Sequence, residues 1–462
     1  MQDNHLAYFL ENFKLAYSTH FNLNKIRIGY DESCHIQIEK FEIINPINDL
    51  KSITWKVWKE VNIPFIMNRS DKESVINEIN DNQVSINFDI IEAGWYLMSG
   101  AQELDTKNND KYGRFCFEGS IQEKLKIAQL PVVNYYFDIL KEAIEMVSKT
   151  EIITNRKFSA TITHDIDEVT SGWKHRIRTN LDSKNFFKVF QYGLSHLFKP
   201  FYPWKNLIEL SNFDKENKVN SSFFFLCRND KLDGIKNADY NILDSYINKS
   251  REHIAKNNQE IGIHGSYRTH DSSEELKKDI HCLGNLVVGN RFHFLQYSIN
   301  ETSKILDELK FNYDATLGFQ ETIGFRNSIC TPFKLYNFET NESHNFIEIP
   351  LNIMDCSLEY ENYMGLSIPE SRIAVKSLIQ EIKKFNGNVC INWHNTYFSD
   401  YLKTDWKLFY EELIKILKNE NDTTKYSSIL FYSNGICQYR HKSKLQSKQL
   451  NRDNSNRHQI LE

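Results

Sequence analysis

Several features are missing from this sequence, and each absence removes a class of function. No uninterrupted apolar run reaches the roughly 20 residues that a helix needs to cross a bilayer. The opening Met-Gln-Asp-Asn-His-Leu lacks the basic and apolar regions of a secretory leader. The cysteines (Cys34, Cys116, Cys227, Cys282, Cys330, Cys356, Cys390 and Cys437) form no Cys-x-x-Cys and no framework spacing. Cys227 and Cys390 lie inside apolar runs, which suits buried, reduced thiols in a cytoplasmic protein. A net charge of −5 argues against a nucleic-acid binder, which would show a basic stripe. Internal repeats are absent.

What remains is a globular composition, 25% charged and 40% hydrophobic. At 462 residues the chain is too long for one ordinary core, so two domains are expected. The 31 Phe and 23 Tyr belong mostly to the core but leave enough aromatics to line a sugar groove.

Residues 1–150 read as a smaller α+β unit. Ile26–Tyr30 and Ile36–Ile43 alternate like half-buried strands, while Asp89–Ser99 and Pro131–Val147 carry helical patterns, the second opened by a first-turn proline. His5, His20 and His35 are isolated, and each reads as a surface or capping residue. The polar run Ser148–Lys157 reads as a linker.

From Phe158 onward, short apolar strands alternate with amphipathic helices, the pattern of parallel β/α architecture. A polar and aromatic insertion at about 170–218 carries Trp173, Phe198, Phe201, Tyr202 and Trp204. Strands are expected at Ser221–Cys227, Glu260–Ser266, Arg291–Leu295, Phe311–Gly318, Phe346–Met354 and Asn388–Asn395. Ser272-x-x-Glu275 reads as a capping box. About seven β/α repeats give the expected fold, an α/β protein whose residues 155–440 form a deformed (β/α)7-type barrel. Residues 441–462 read as a polar, disordered tail.

The chemistry gathers where polar residues interrupt strand ends, which is where β/α barrels place catalytic groups. In Phe158-Ser-Ala-Thr-Ile-Thr-His-Asp-Ile-Asp167, strand alternation puts Thr163, Asp165 and Asp167 on one face and His164 on the other. Two carboxylates that close are costly without a cation between them or a shared proton. The alternative is a pair that caps the next loop. His264, Arg291, His293, Asp314, His394 and Asn395 interrupt later strand ends. Aspartate with histidine suits a divalent metal such as zinc, with an open position for water. A carboxylate can then take the water's proton, and a histidine on the opposite wall can protonate a leaving group.

The ordered set Thr163-His-Asp-Ile-Asp167, Gly262-Ile-His264-Gly-Ser266, Arg291-Phe-His293 and Asn392-Trp-His394-Asn395 resembles the polysaccharide deacetylase superfamily, also called the NodB-homology or carbohydrate esterase 4 group. Phe88-Asp-Ile-Ile-Glu-Ala-Gly-Trp-Tyr-Leu, Lys111-Tyr-Gly-Arg-Phe115, Asp314-Ala-Thr-Leu-Gly-Phe, Gly324-Phe-Arg-Asn327 and Glu348-Ile-Pro-Leu are similar to a bacterial branch with an N-terminal domain of unknown function, found with surface-polysaccharide genes.

The resemblance implies a zinc-dependent deacetylase acting on an N-acetylated sugar, with Asp165 as general base, Asp167 and His264 as metal ligands, Arg291 orienting the base and His394 protonating the amine. Arg291 could instead form a surface salt bridge. The family's usual second histidine is Arg268 here, so the third ligand is expected from His293, with His270 or no residue as alternatives. Asp314 and Arg326 would bind sugar or hold loops, Trp393 would pack against the acetyl group or ring, and His164 would be structural. His175, His253, His281 and His344 read as solvated or capping. Two other functions stay open: a non-catalytic carbohydrate-binding or scaffolding protein, and hydrolysis of an acetyl ester or a cyclic amide.

Overall fold

A computed structural model describes residues 2–17, 25–40, 46, 50, 53–67, 72–105, 109–172, 190, 202–284, 289–401 and 403–419. His20, Trp173, His175, Phe198, Phe201, Cys437 and the expected tail lie outside them. The described residues belong to one compact unit. No described helix is long and apolar enough to cross a membrane.

The centre is an eight-member parallel sheet. Its spatial order is Ile347–Glu348, Tyr313–Asp314, Gly289–Phe292, Glu260–Gly265, Ser221–Leu226, Ser159–Ile166, Asn388–Asn392 and Leu351–Met354. All its pairings are parallel. Such strands are covered on both faces, so they read as apolar runs without alternation. Ser159–Ile166 and Ser221–Leu226 are accordingly buried at every position.

The two edge members are one stretch of chain broken at Pro350. Ile349 N donates to Asp314 O at 2.9 Å, and Leu351 N donates to Leu317 O at 3.0 Å. Pro350, which has no N–H, marks the point where the chain leaves one edge of the sheet for the other. The expected single strand Phe346–Met354 thus serves both edges, and the sheet becomes a deformed barrel of seven strand positions.

Helices Leu207–Glu216, Ser245–Lys256, Ser273–Leu283, Glu301–Glu308, Ile368–Lys383 and Thr404–Asn419 alternate with the strands. Ser272 caps its helix by accepting from Glu275 N at 3.3 Å, but Glu275 turns to Lys278 and Arg228. A reciprocal capping box is present at Ser367 and Glu370.

The smaller α+β region begins with helix Gln2–Tyr17. Its sheet runs in the order Ile28–Gly29, Ile36–Ile38, Gln83–Ile86 and Ile76–Asn80, beside a hairpin of Thr54–Trp58 and Val61–Phe65. Helices Ile90–Ser99 and Val132–Ser148 complete it, close to the expected spans. It meets the barrel through buried polar contacts. Arg326 pairs with Glu103 at 2.7 Å, Gln122 Nε2 donates to Arg326 O at 2.8 Å, and Phe325 N donates to Ala128 O at 2.7 Å. Gly324 adopts φ +138°, and a Cβ there would sit 2.1 Å from Ala128 O, so only glycine permits this approach.

Two histidines differ from expectation. His5 is buried, with Nδ1 2.9 Å from Glu92 and its ring stacked on Trp95 at 3.8 Å. His344 is buried with Nδ1 2.7 Å from Asp307. Each partner is far away in sequence, so neither pairing shows in a local pattern. The seven described cysteines are free thiols.

Candidate metal centre and its flanking groups

Register builds the site. Thr163 pairs with Asn392 and His264 with Arg291, and each pair shares a face of the parallel sheet. Two residues further on, Asp165 within its strand and His293 and His394 just past theirs lie at one end of the barrel. Asp167 lies just past its strand. Asp239 fixes the loop behind it, accepting from Val169 N at 2.6 Å and Thr170 N at 2.8 Å, while Asp239 N donates to Asp167 O.

Three donor atoms converge. His264 Nε2 lies 3.3 Å from Asp167 Oδ1, His293 Nδ1 lies 3.6 Å from the same oxygen, and the two nitrogens are 3.2 Å apart. A tetrahedral ion with bonds of about 2.0–2.1 Å has donor–donor edges of roughly 3.3–3.4 Å, so this triangle fits one. Asp167 Oδ1 is buried and takes no well-formed hydrogen bond, as expected of an oxygen reserved for a cation. His264 donates Nδ1–H to Arg291 O at 2.7 Å, which fixes its tautomer and aims Nε2 inward. The donor set therefore fits a divalent metal.

His293 and His270 are treated differently by the fold. His293 enters the triangle, whereas His270 contributes no atom to it. Arg268, the residue four after His264, points outward to Asp233 at 2.9 Å on the surface. His293 sits past the end of its strand on a turn in which Phe294 and Leu295 adopt φ +59° and +55°. Left-handed backbone at such residues costs of order 1–3 kcal/mol each, so surrounding contacts must hold it.

Asp165 lies beside the triangle, with Oδ2 3.9 Å from His264 Nε2. It accepts from Arg291 Nη1 at 3.1 Å and from Asn392 Nδ2 at 2.8 Å. Arg291 is wholly enclosed rather than on the surface. It also donates to Thr163 Oγ1 at 2.6 Å and Ala315 O at 2.7 Å, and its guanidinium lies 5.2 Å over the Phe224 ring. Gly262 makes room for that ring, since a Cβ there would meet it at 2.4 Å.

His394 comes from the strand next to that of Asp165, with Nε2 3.7 Å from Asp167 Oδ2. Buried Asp355 accepts from His394 N at 2.6 Å and from Nδ1–H at 2.8 Å. Asp355 has no counterpart in the sequence reading. The signal was its position directly after the apolar strand Leu351–Met354, where the other site residues also occur. Asn392 was likewise seen only as part of a motif.

The electrostatics follow from this packing. Burial raises the Asp165 carboxyl, but Arg291, then His264 and His394, hold it below its ordinary value. Burial also opposes ionisation of Asp167, yet His293, His264 and His394 hold it well below the usual carboxylate range. Burial pushes His293 down to about 4. His394 resists the lowering effect of burial and rises to about 10, through Asp355 first and then Asp167 and Asp165.

Other candidate residues are structural. Asp314 accepts from Asn290 Nδ2 at 2.6 Å and Thr316 N at 2.9 Å, and Arg326 holds Glu103, so both secure loops. His164 faces away, bridging Asp214 at 2.8 Å and Trp393 O at 2.6 Å. Trp393 does not reach the site. It is fully buried among Tyr397, Trp406, Phe409 and Tyr410, because strand alternation turns it opposite to His394. Among the described residues, Asp355, Cys356 and His394 also bring donor atoms together, but Asp355 already engages His394 Nδ1.

Residues 6–149 match a family of unknown function, DUF7033. No curated protein matches the chain. Among solved structures, the chain is similar to a candidate polysaccharide deacetylase from Mycobacterium smegmatis, with 14% identity over 57% of this chain and 91% of that one, and a TM-score of 0.35. It is similar to a mutant of a carbohydrate esterase 4 family pseudoenzyme with restored enzymatic activity, with 12% identity over 56% of this chain and 64% of that one, at a TM-score of 0.24. A mutant of a peptidoglycan deacetylase from Bacillus subtilis matches with 11% identity over 58% of this chain and 98% of that one, at a TM-score of 0.21. At such identities and scores, the functional reading rests on the site itself.

Proposed function

We propose that this chain is a metal-dependent hydrolase that removes an acetyl group from an N-acetylated sugar of a bacterial surface polysaccharide or its precursor. The observation that carries the reading is the Asp167, His264 and His293 triangle, with edges of 3.2–3.6 Å, with Asp165 3.9 Å from His264 and His394 3.7 Å from Asp167. Asp167, His264 and His293 would hold the ion, for which zinc suits the mixed carboxylate and imidazole donors. A divalent cation there supplies a Lewis acid that acidifies water and stabilises developing negative charge on the acyl oxygen.

Asp165 takes the proton of the attacking water. Arg291 and Asn392 hold one oxygen each, which keeps its carboxylate oriented without protonating it. His394 donates from Nε2 to the departing nitrogen, and Asp355 both aligns the ring and stabilises its charged form. Water and amide thereby become acetate and free amine. A scaffold alone has no need of a carboxylate base and an imidazole acid beside such a triangle, and His293 supplies the donor that Arg268 does not.

The test is acetate release by purified protein from matched N-acetylated and O-acetylated oligosaccharides. Acetate and new free amine are expected from the N-acetylated substrate, with loss of activity on chelation and recovery with zinc. Acetate from the ester alone would reassign the bond. No acetate from zinc-loaded protein would favour the carbohydrate-binding scaffold.

A further inference from the structure

We infer that the turn Asp110–Arg114, supplied by the N-terminal region, is a positioning element for His293 and thereby sets the metal affinity of the centre. This inference rests on the proposed role of His293 as a ligand.

The need for a brace is local. His264 lies within a strand, and its second nitrogen is tied to Arg291 O. His293 begins where the ladder ends at Phe292, on a turn whose next two residues are left-handed. The register sets which side of the sheet it takes, but its ring lies beyond the last ladder pair, Gly265 with Phe292. The turn Asp110–Arg114 lies against this segment at three points. Arg114 Nη1 donates to Phe294 O at 2.8 Å, Gln296 Nε2 donates to Tyr112 O at 2.8 Å, and the Tyr112 ring stacks on Phe294 at 5.1 Å with planes 6° apart. Phe294 in turn lies against the His293 ring at 4.0 Å. Gln296 also accepts from Arg268 N at 2.9 Å, which ties the segment to the loop after His264.

The brace is itself rigid. Asp110 accepts from Tyr112 N at 2.8 Å and from Arg114 N at 3.0 Å, and it takes Arg114 Nε at 2.8 Å. Gly113 makes the turn at φ +78°. Arg114 is buried and also contacts Gln320. Tyr112 and Arg114 touch no donor atom of the triangle. They act through Phe294 and Gln296, in the way that outer groups orient ligands and tune affinity.

The test uses the full chain, stripped of metal and titrated with Zn2+ by calorimetry, and with Co2+ followed by its visible absorption. Tyr112→Ala is expected to weaken binding roughly 10- to 100-fold and alter the cobalt spectrum. Tyr112→Phe, which keeps the stack and the backbone carbonyl, should bind like the parent. If Tyr112→Ala fails to fold, Arg114→Gln, which removes the donation to Phe294 O, is read the same way. Wild-type affinity in folded Tyr112→Ala, alongside weakened binding in His293→Ala, overturns the brace and leaves the metal reading intact. Wild-type affinity in His293→Ala overturns the ligand assignment and the brace with it.

Discussion

Asp165→Asn is expected to lower kcat by about 10²–10⁴-fold, the range a positioned acid or base contributes, while the protein still binds its metal. The substitution preserves shape and removes basicity. Arg291 Nη1 can still donate to the remaining oxygen. Asn392 can turn to receive the new amide, because its own Oδ1 is buried without a partner. The triangle is untouched, since Asp165 Oδ2 stands 3.9 Å from His264 Nε2 and outside the three-donor set. Steady-state rates on an N-acetylated oligosaccharide and metal content of the same sample are the paired measurements. Activity within a few-fold of the parent would remove Asp165 from the role of base.

Arg291→Leu should be the most destabilising of the site substitutions, by about 3–5 kcal/mol, because it leaves a buried carboxylate without its counter-charge. The guanidinium reaches Asp165, Thr163, Ala315 and Cys390, which lie on or directly after three different strands. A leucine fills part of the volume over Phe224 but satisfies none of these partners. Arg291→Lys keeps the charge without the planar fork, so an intermediate loss is expected. Urea unfolding of the three proteins checks the order. A loss below about 1 kcal/mol for the leucine variant would mean that Asp165 finds another partner or is protonated.

Much of this was legible in sequence because the barrel strands are buried on both faces. Against an apolar run, Asp165, His264, Arg291 and His394 stand out, and a period of two decides which neighbours share their face. The same rule correctly sent His164 away from the site. It also predicts the burial of Trp393, adjacent to His394 and therefore on the opposite face, although adjacency alone invited the opposite reading.

What was hidden depends on distance along the chain. Asp355 orients His394 from 39 residues away, and Glu92 meets His5 from 87 residues away. No local pattern announces either pair. The strand Ile76–Asn80 of the first region was also silent, because four of its five residues are exposed and its alternation is lost. The hold of Tyr112 on Phe294 joins two regions that the sequence presents as separate units.

The central claim is that Asp167, His264 and His293 form one metal site. Titration of metal-free protein with zinc tests it most directly. The site predicts one equivalent per chain, with binding abolished by His264→Ala. Absence of a saturable equivalent, or an unchanged equivalent in the His264→Ala protein, would contradict it.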